Sequence, residues 1–251
     1  MSANQSKTVF TIAQLLSLFS VDREEIGIRE TSQILGLNPS KVHWLLSSLE
    51  ACGFLEKNAN RKYRLGEKVF EIGSLYPFHF PLRKIVRPHA EELARMFRAG
   101  AHFAIPSKNP PYSAIIIDRI INVQSPSLIH RISLNIPLHS SAVGKAILAF
   151  LEQKEQKNVL NGLILTKFTE NTITERNCLL SELKHIREDG FSVDRGETHV
   201  NLFCVGAPIF QNNQLVGSLS LSDFGEQLNE KKLKEIGKVL KERTAFISRQ
   251  L

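Results

Sequence analysis

The chain has 251 residues, 42% of them hydrophobic, and 32 Lys/Arg against 25 Asp/Glu give it a net charge of +7. That length can fill two compact cores. No apolar run approaches the ~20 residues of a bilayer span, the segment MSANQSKTVF lacks the apolar stretch of a signal peptide, and three widely spaced cysteines (Cys52, Cys178, Cys204) suggest neither a disulfide framework nor a zinc site, so no membrane partner and a cytoplasmic location are expected.

Residues 8–19 place Val9, Ile12, Leu15, Leu16 and Phe19 on one stripe and predict a first helix. After a charged connector at 21–27, Ile34, Leu35 and Leu37, then Val42, Leu45, Leu46 and Leu49, predict two helix faces that close on one another. Gly36 can end the first of these helices in the left-handed conformation. Asn38 can cap the second, and Pro39 suits its first position, where a missing N–H costs nothing. This is how a helix-turn-helix is built, its second helix left to enter a DNA major groove. Gly53 stops the run, and residues 54–57 and 62–65 read as short strands joined through Asn58-Ala59-Asn60-Arg61, which adds a wing. Residues 1–80 carry 9 Lys/Arg and 8 Asp/Glu, yet Lys57, Arg61, Lys62, Arg64 and Lys68 face only Glu67 within residues 57–68. The wing is therefore the basic spot of a nearly neutral head.

Gly66 opens another apolar-periodic stretch, Val69, Phe70, Ile72 and Leu75, which ends at Pro77. Two prolines among aromatics at 76–81 predict a boundary between a domain at 1–76 and another at 77–251. A long helix over 82–97 should turn Ile85, Val86, Leu93 and Phe97 inward. β-branched runs at 102–105, 114–121 and 128–132 predict strands. A helix should start at Ser140 or Ser141, polar helices follow through Leu160 and over 175–188, and Gly190 is a stop. Residues 203–210 and 215–222 make a hairpin across Gln211-Asn212-Asn213-Gln214, and an amphipathic helix at 229–248 closes the chain. The predicted class is α+β, with helices packed on an antiparallel sheet.

Two places carry candidate chemistry. Ser40, Lys41, His43, Trp44 and Ser47 lie on the side of the second helix away from Val42, Leu45, Leu46 and Leu49, where hydroxyls, ammonium and imidazole can meet phosphates or base edges. A merely solvated face is the alternative. Arg29, at the start of the preceding helix, and Arg61 and Lys62 in the wing are candidate phosphate contacts. In the second half, Ser140, Ser141, Ala142 and Gly144 at a helix N-terminus leave N–H groups free for an anion, or else form a capped helix with a small packing face. Ser220 and Ser222, two apart in a strand, present both hydroxyls to one face. Gly144-Lys145 is not a Walker loop, and His102, His130, His139, Asp194, His199 and Cys204 have no HExxH, GxSxG or paired-cysteine spacing, so no enzyme, metal or cofactor is expected.

Over nearly its whole length the chain resembles the IclR-type bacterial and archaeal transcription regulators. The matching pieces are Ser40-Lys41-Val42-His43 and Leu45-Leu46, Tyr63-Arg64-Leu65-Gly66, and the run from Leu138-His139-Ser140-Ser141 through Ala149. Gly190-Phe191-Ser192-Val193-Asp194, Cys204-Val205-Gly206-Ala207-Pro208-Ile209 and Ser218-Leu219-Ser220-Leu221-Ser222 follow in the family's order. The resemblance implies an N-terminal winged helix-turn-helix domain, a linker helix, and a GAF-like α/β effector-binding domain. It also implies double-stranded DNA and a small organic or aromatic acid as partners, with assembly into a homodimer or homotetramer. It places the effector pocket at Ser141, Ala142, Val143, Asp194, Cys204, Ser220 and Ser222. Asp194 would accept a bond from a ligand hydroxyl or stay protonated beside an anion, and Cys204 is either a ligand contact or an ordinary strand residue.

Two positions depart from the family's pattern. Trp44 stands where Arg is usual, and either meets DNA with its N–H and apolar surface or packs against the first helix. Asn201 stands where Gly is common, in a turn that would then need positive φ. The expected function is a ligand-responsive DNA-binding regulator. A regulator whose second domain only oligomerises is the alternative, and a hydrolytic or metal-dependent enzyme is a third reading.

Overall fold

The computed structural model describes residues 6–20, 22–107, 112–121, 135–222 and 229–251; the strand expected at 128–132, with His130, lies outside them. The chain forms two compact units, Met1–His79 and Phe80–Leu251.

The first unit contains α1 (Lys7–Leu16), α2 (Ile28–Leu35), α3 (Pro39–Ala51), the strands β1 (Leu55–Lys57) and β2 (Tyr63–Leu65), α4 (Glu67–Leu75) and a 3-10 turn, Tyr76–His79. The α2–α3 turn follows its residues. Gly36 ends α2 at φ 64, Asn38 Oδ1 accepts the Ser40 N–H at 2.9 Å, and Pro39 takes the first helical position. Leu15, Ile26, Val42, Leu45, Leu46, Leu49, Leu55 and Tyr63 form the core. Ile26 also exchanges backbone hydrogen bonds with Tyr63 at 2.9 Å, which ties the connector to the wing.

Two inward assignments fail here. Val9 and Ile34 are exposed, while Thr11 is buried alongside Leu15 in α1 and Thr31 is the buried residue of α2. The cause is rotation: in α2 the inward line runs through Thr31 and Leu35, four apart, and Ile34 is turned about 100° from Leu35. The stretch expected after Gly66 does form a helix, but α4 buries no residue, and Phe70, Ile72 and Leu75 all face outward.

The second unit opens with α5 (Leu82–Phe97), followed by β3 (Gly100–Pro106), β4 (Ala114–Ile120) and β5 (Asn135–Ile136). Then come α6 (Ala142–Phe150), α7 (Gln153–Gly162), α8 (Arg176–Asp189), β6 (Ser192–Arg195), β7 (Phe203–Gln211), β8 (Gln214–Ser222) and α9 (Glu230–Arg249). The sheet order is β5-β4-β3-β8-β7-β6, and every pairing is antiparallel. Val86, Leu93, Leu233, Ile236 and Leu240 of α5 and α9 pack on one face against Phe103, Val205, Leu219 and Leu221. Ile147, Leu148, Val159, Leu179 and Leu183 pack with Ala104 and Ile116 on the other. Ile85 and Phe97, expected inward on α5, are only half-buried. Asn212 and Asn213, at φ 49 and 62, close the β7–β8 hairpin in the conformation its two-residue turn requires. Asn201 is not at positive φ; Gly196, at φ 75, is the left-handed residue of that loop.

Candidate functional site

In the first unit the candidate DNA-reading residues are mostly open to solvent. Arg29, Ser40, Lys41, His43, Trp44, Arg61 and Lys62 are exposed and Ser47 is half-buried. Trp44 is 58% exposed, so its ring is not part of the head's core. It falls one residue before the inward pair Leu45 and Leu46 and is carried to the outer flank of α3. Ser47 donates its hydroxyl proton to the His43 carbonyl at 2.5 Å, which leaves that oxygen as an acceptor. Within the basic spot, Arg64 is paired to Glu56 and Lys68 to Glu71, each at 2.8 Å. Among the described residues Arg29, Lys41, Lys57, Arg61 and Lys62 are exposed and have no such ion pair, which leaves these cations open to a phosphate backbone.

In the second unit a narrow cleft of about 40 Å³ opens at the start of α6. Ser141, Ala142 and Val143 form one wall, and Asp194 on β6, Cys204 on β7 and Ser220 on β8 form the sheet side. His102, Ile116 and Ile136 extend that side along β3, β4 and β5, and Thr198 and Leu202 close it from the β6–β7 loop. Ser222 is not on the wall. Its hydroxyl lies 3.4 Å from His102 Nδ1, behind the imidazole that lines the space. The sequence offers His102 only among possible hydrolytic or metal groups and gives no sign of Thr198 or Leu202, because a single histidine in an apolar strand and two residues of an irregular loop carry no spacing signal for a cleft.

Local chemistry fixes the mouth of α6. Ser141 caps the helix: its Oγ accepts the Gly144 N–H at 3.0 Å and donates to the Pro137 carbonyl at 2.6 Å. A Cβ on Gly144 would lie 2.2 Å from that same carbonyl, so only glycine lets the first turn sit on the chain before it. The Ala142 and Val143 N–H groups have no acceptor within the helix and border the cleft, where a negative group would also meet the positive end of the helix dipole.

Behind this wall sits a buried charge cluster. Lys145, at 0% exposure, meets Glu197 at 2.5 Å and Glu182 at 2.9 Å. Asp194, also buried, accepts the Glu197 N–H at 2.7 Å and lies 3.2 Å from the Thr198 hydroxyl. Burial pushes the Asp194 carboxyl up to about 6, opposed by the Glu197 N–H and the Lys145 charge. Burial likewise raises Glu197 to about 7 against the pull of Lys145. Thr169 and Thr172 hold the loop in place by donating to the Gly196 and Glu197 carbonyls at 2.7 and 2.6 Å. His139 bonds the Thr166 carbonyl at 3.0 Å, and burial lowers its pKa. Among the described residues no group of three or more His, Cys, Asp or Glu is placed to hold a metal ion, and no described helix is long and apolar enough to cross a membrane.

Known proteins agree with this two-part arrangement. Residues 76–249 match the family model for the bacterial transcriptional regulator IclR C-terminal domain, and residues 12–59 match the IclR helix-turn-helix domain. The HTH-type transcriptional regulator XynR of Escherichia coli K12 is 29% identical over 240 residues, 95% of this chain and 94% of that relative. The crystal structure of the Thermotoga maritima IclR has a TM-score of 0.68 at 30% identity, covering 97% of this chain and 98% of that one. An IclR homologue from Microbacterium hydrocarbonoxydans, crystallised with 4-hydroxybenzoate, shares the fold at a TM-score of 0.75 and 20% identity, over 98% of this chain and 100% of that one. The relatives are DNA-binding regulators rather than enzymes, and the chain belongs to the IclR family of bacterial transcriptional regulators.

Proposed function

We propose that the cleft at the start of α6 binds a small organic acid and that its occupancy controls how the winged head engages double-stranded DNA. The head is assigned to residues 1–76, and the linker helix and effector domain to 77–251. The observation that carries the reading is the convergence of the α6 N-terminus with Ser141, Thr198 and Ser220 on one cleft. The carboxylate is assigned to the Ala142 and Val143 N–H groups, and the apolar walls of Ile116, Ile136 and Leu202 to the rest of the molecule. An aromatic acid suits this division, and the 4-hydroxybenzoate held by the Microbacterium homologue makes that compound the natural probe.

Control of DNA binding requires two arrangements that the effector binds with different affinity. A homodimer supplies them, because the spacing of two heads decides whether two half-sites are gripped together. The outward Phe70, Ile72, Leu75 and Phe78 support α4 and the turn after it as the dimer contact. The test is thermal shift against small aromatic and aliphatic acids, followed by DNA titration with the best of them. A raised Tm and a changed DNA affinity are expected. If no acid shifts the Tm, the effector reading falls and the second unit is left as an oligomerisation platform.

A further inference from the structure

We propose that the acid enters this cleft together with a proton, which the Asp194 carboxyl takes up. The inference rests on reading the cleft as a carboxylate site and adds a pH-dependent response to it. Two carboxyl groups, Glu197 and Glu182, contact the buried ammonium of Lys145, and a third, Asp194, is tied to the same loop through the Glu197 N–H. One Glu197 oxygen, Oε2, is buried with no hydrogen-bond partner among the described residues. Elsewhere around Asp194, Cys204 lies opposite on β7, His102 lines the cleft from β3, His139 precedes α6, and the neighbouring Arg195 is paired with Glu230 at 2.6 Å. Among these described residues no second cation is left for an incoming anion.

A carboxylate seated at the α6 N-terminus would add a further negative charge to a buried cluster of carboxyl groups that shares one ammonium. Protonating Asp194 removes one charge and turns an acceptor into an O–H donor that can face the ligand oxygen. The group is prepared for this, since burial already pushes its carboxyl up to about 6. An adjacent anion can only raise it further. The bound state therefore holds more protons than the free one, and affinity must fall as pH rises above the free-state value. The proton comes from solvent, and no bond to the ligand is made or broken.

The test is calorimetric titration of the full chain with 4-hydroxybenzoate and benzoate between pH 6 and 8, in phosphate and in Tris. Both probes are carboxylates throughout that range, and 4-hydroxybenzamide serves as the uncharged control. The expected result is uptake of about one proton per acid bound at pH 7.5, seen as a buffer-dependent enthalpy, and an affinity that falls by up to roughly tenfold per pH unit above pH 6. The amide should show neither effect, and Asp194→Asn should flatten the pH dependence. Because the wild-type buffer comparison gives the proton count by itself, misfolding of the variant would not rescue the idea. Acid binding with the same affinity and enthalpy in every buffer and at every pH overturns proton uptake but leaves the cleft reading standing. Failure of both acids to bind overturns the two together.

Discussion

The two units put their polar residues in opposite surroundings. In the head, Lys41, His43, Trp44, Arg61 and Lys62 stand on the surface above a core of eight residues, seven aliphatic plus Tyr63. In the second unit, Ser141, Lys145, Asp194, Glu197 and Ser220 are all buried between α6 and the sheet. A surface that meets a large rigid partner can be varied without disturbing the core beneath it. A cleft that must enclose a small one is built from groups whose charges also enter the folding free energy. Substitutions in the head should therefore separate binding from stability, and those around the cleft should move both.

The largest effect is expected at Lys145. Lys145→Ala leaves the buried Glu197 and the partly buried Glu182 without their counter-charge, and chemical denaturation should show a loss of about 3–5 kcal/mol. If stability were unchanged, the cluster would not be buried as described.

Next is pH. Asp194 and Glu197 both have folded values above their ordinary ones, about 6 and about 7. The folded state thus holds more protons than the unfolded state between roughly pH 4 and 7, and this contribution to stability is lost as pH rises through that window. Relative to wild type, Asp194→Asn should show a shallower decline in denaturation midpoint from pH 5 to pH 8. An identical pH profile in the variant would contradict the cluster's role.

In the head the effects shrink. Asn38→Ala removes the α3 cap and should cost about 1 kcal/mol, read as a lowered unfolding midpoint. Lys41→Ala should change stability by less than about 0.5 kcal/mol. It should weaken binding to all duplexes alike and reduce the log–log salt slope by about 1. A Lys41 variant that lost stability instead would erase the contrast between surface and cleft.

What was legible in the sequence follows from range. Gly36, Asn38 and Pro39 act within a few residues of themselves, as do the Ser141 cap and the Asn212-Asn213 turn, so these features could be read directly. The outward turn of Val9 and Ile34 could not, because a helix of eight or ten residues has too few apolar positions to fix its rotation before it packs. Lys145 finds its partners 37 and 52 residues along the chain, a pairing that only the assembled sheet and α8 create. The same is true of His102, which comes beside Ser220 through the β3–β8 register and stands between Ser222 and the cleft.

The most direct test of the account is a fluorescence anisotropy titration of the full chain against a duplex from the region upstream of its own gene, with and without a Tm-raising acid, across a salt series. The account predicts tighter binding than to random duplex, a steep salt dependence, and an affinity that shifts when the acid is added. Equal affinity for both duplexes, unmoved by an acid that demonstrably binds, would contradict it.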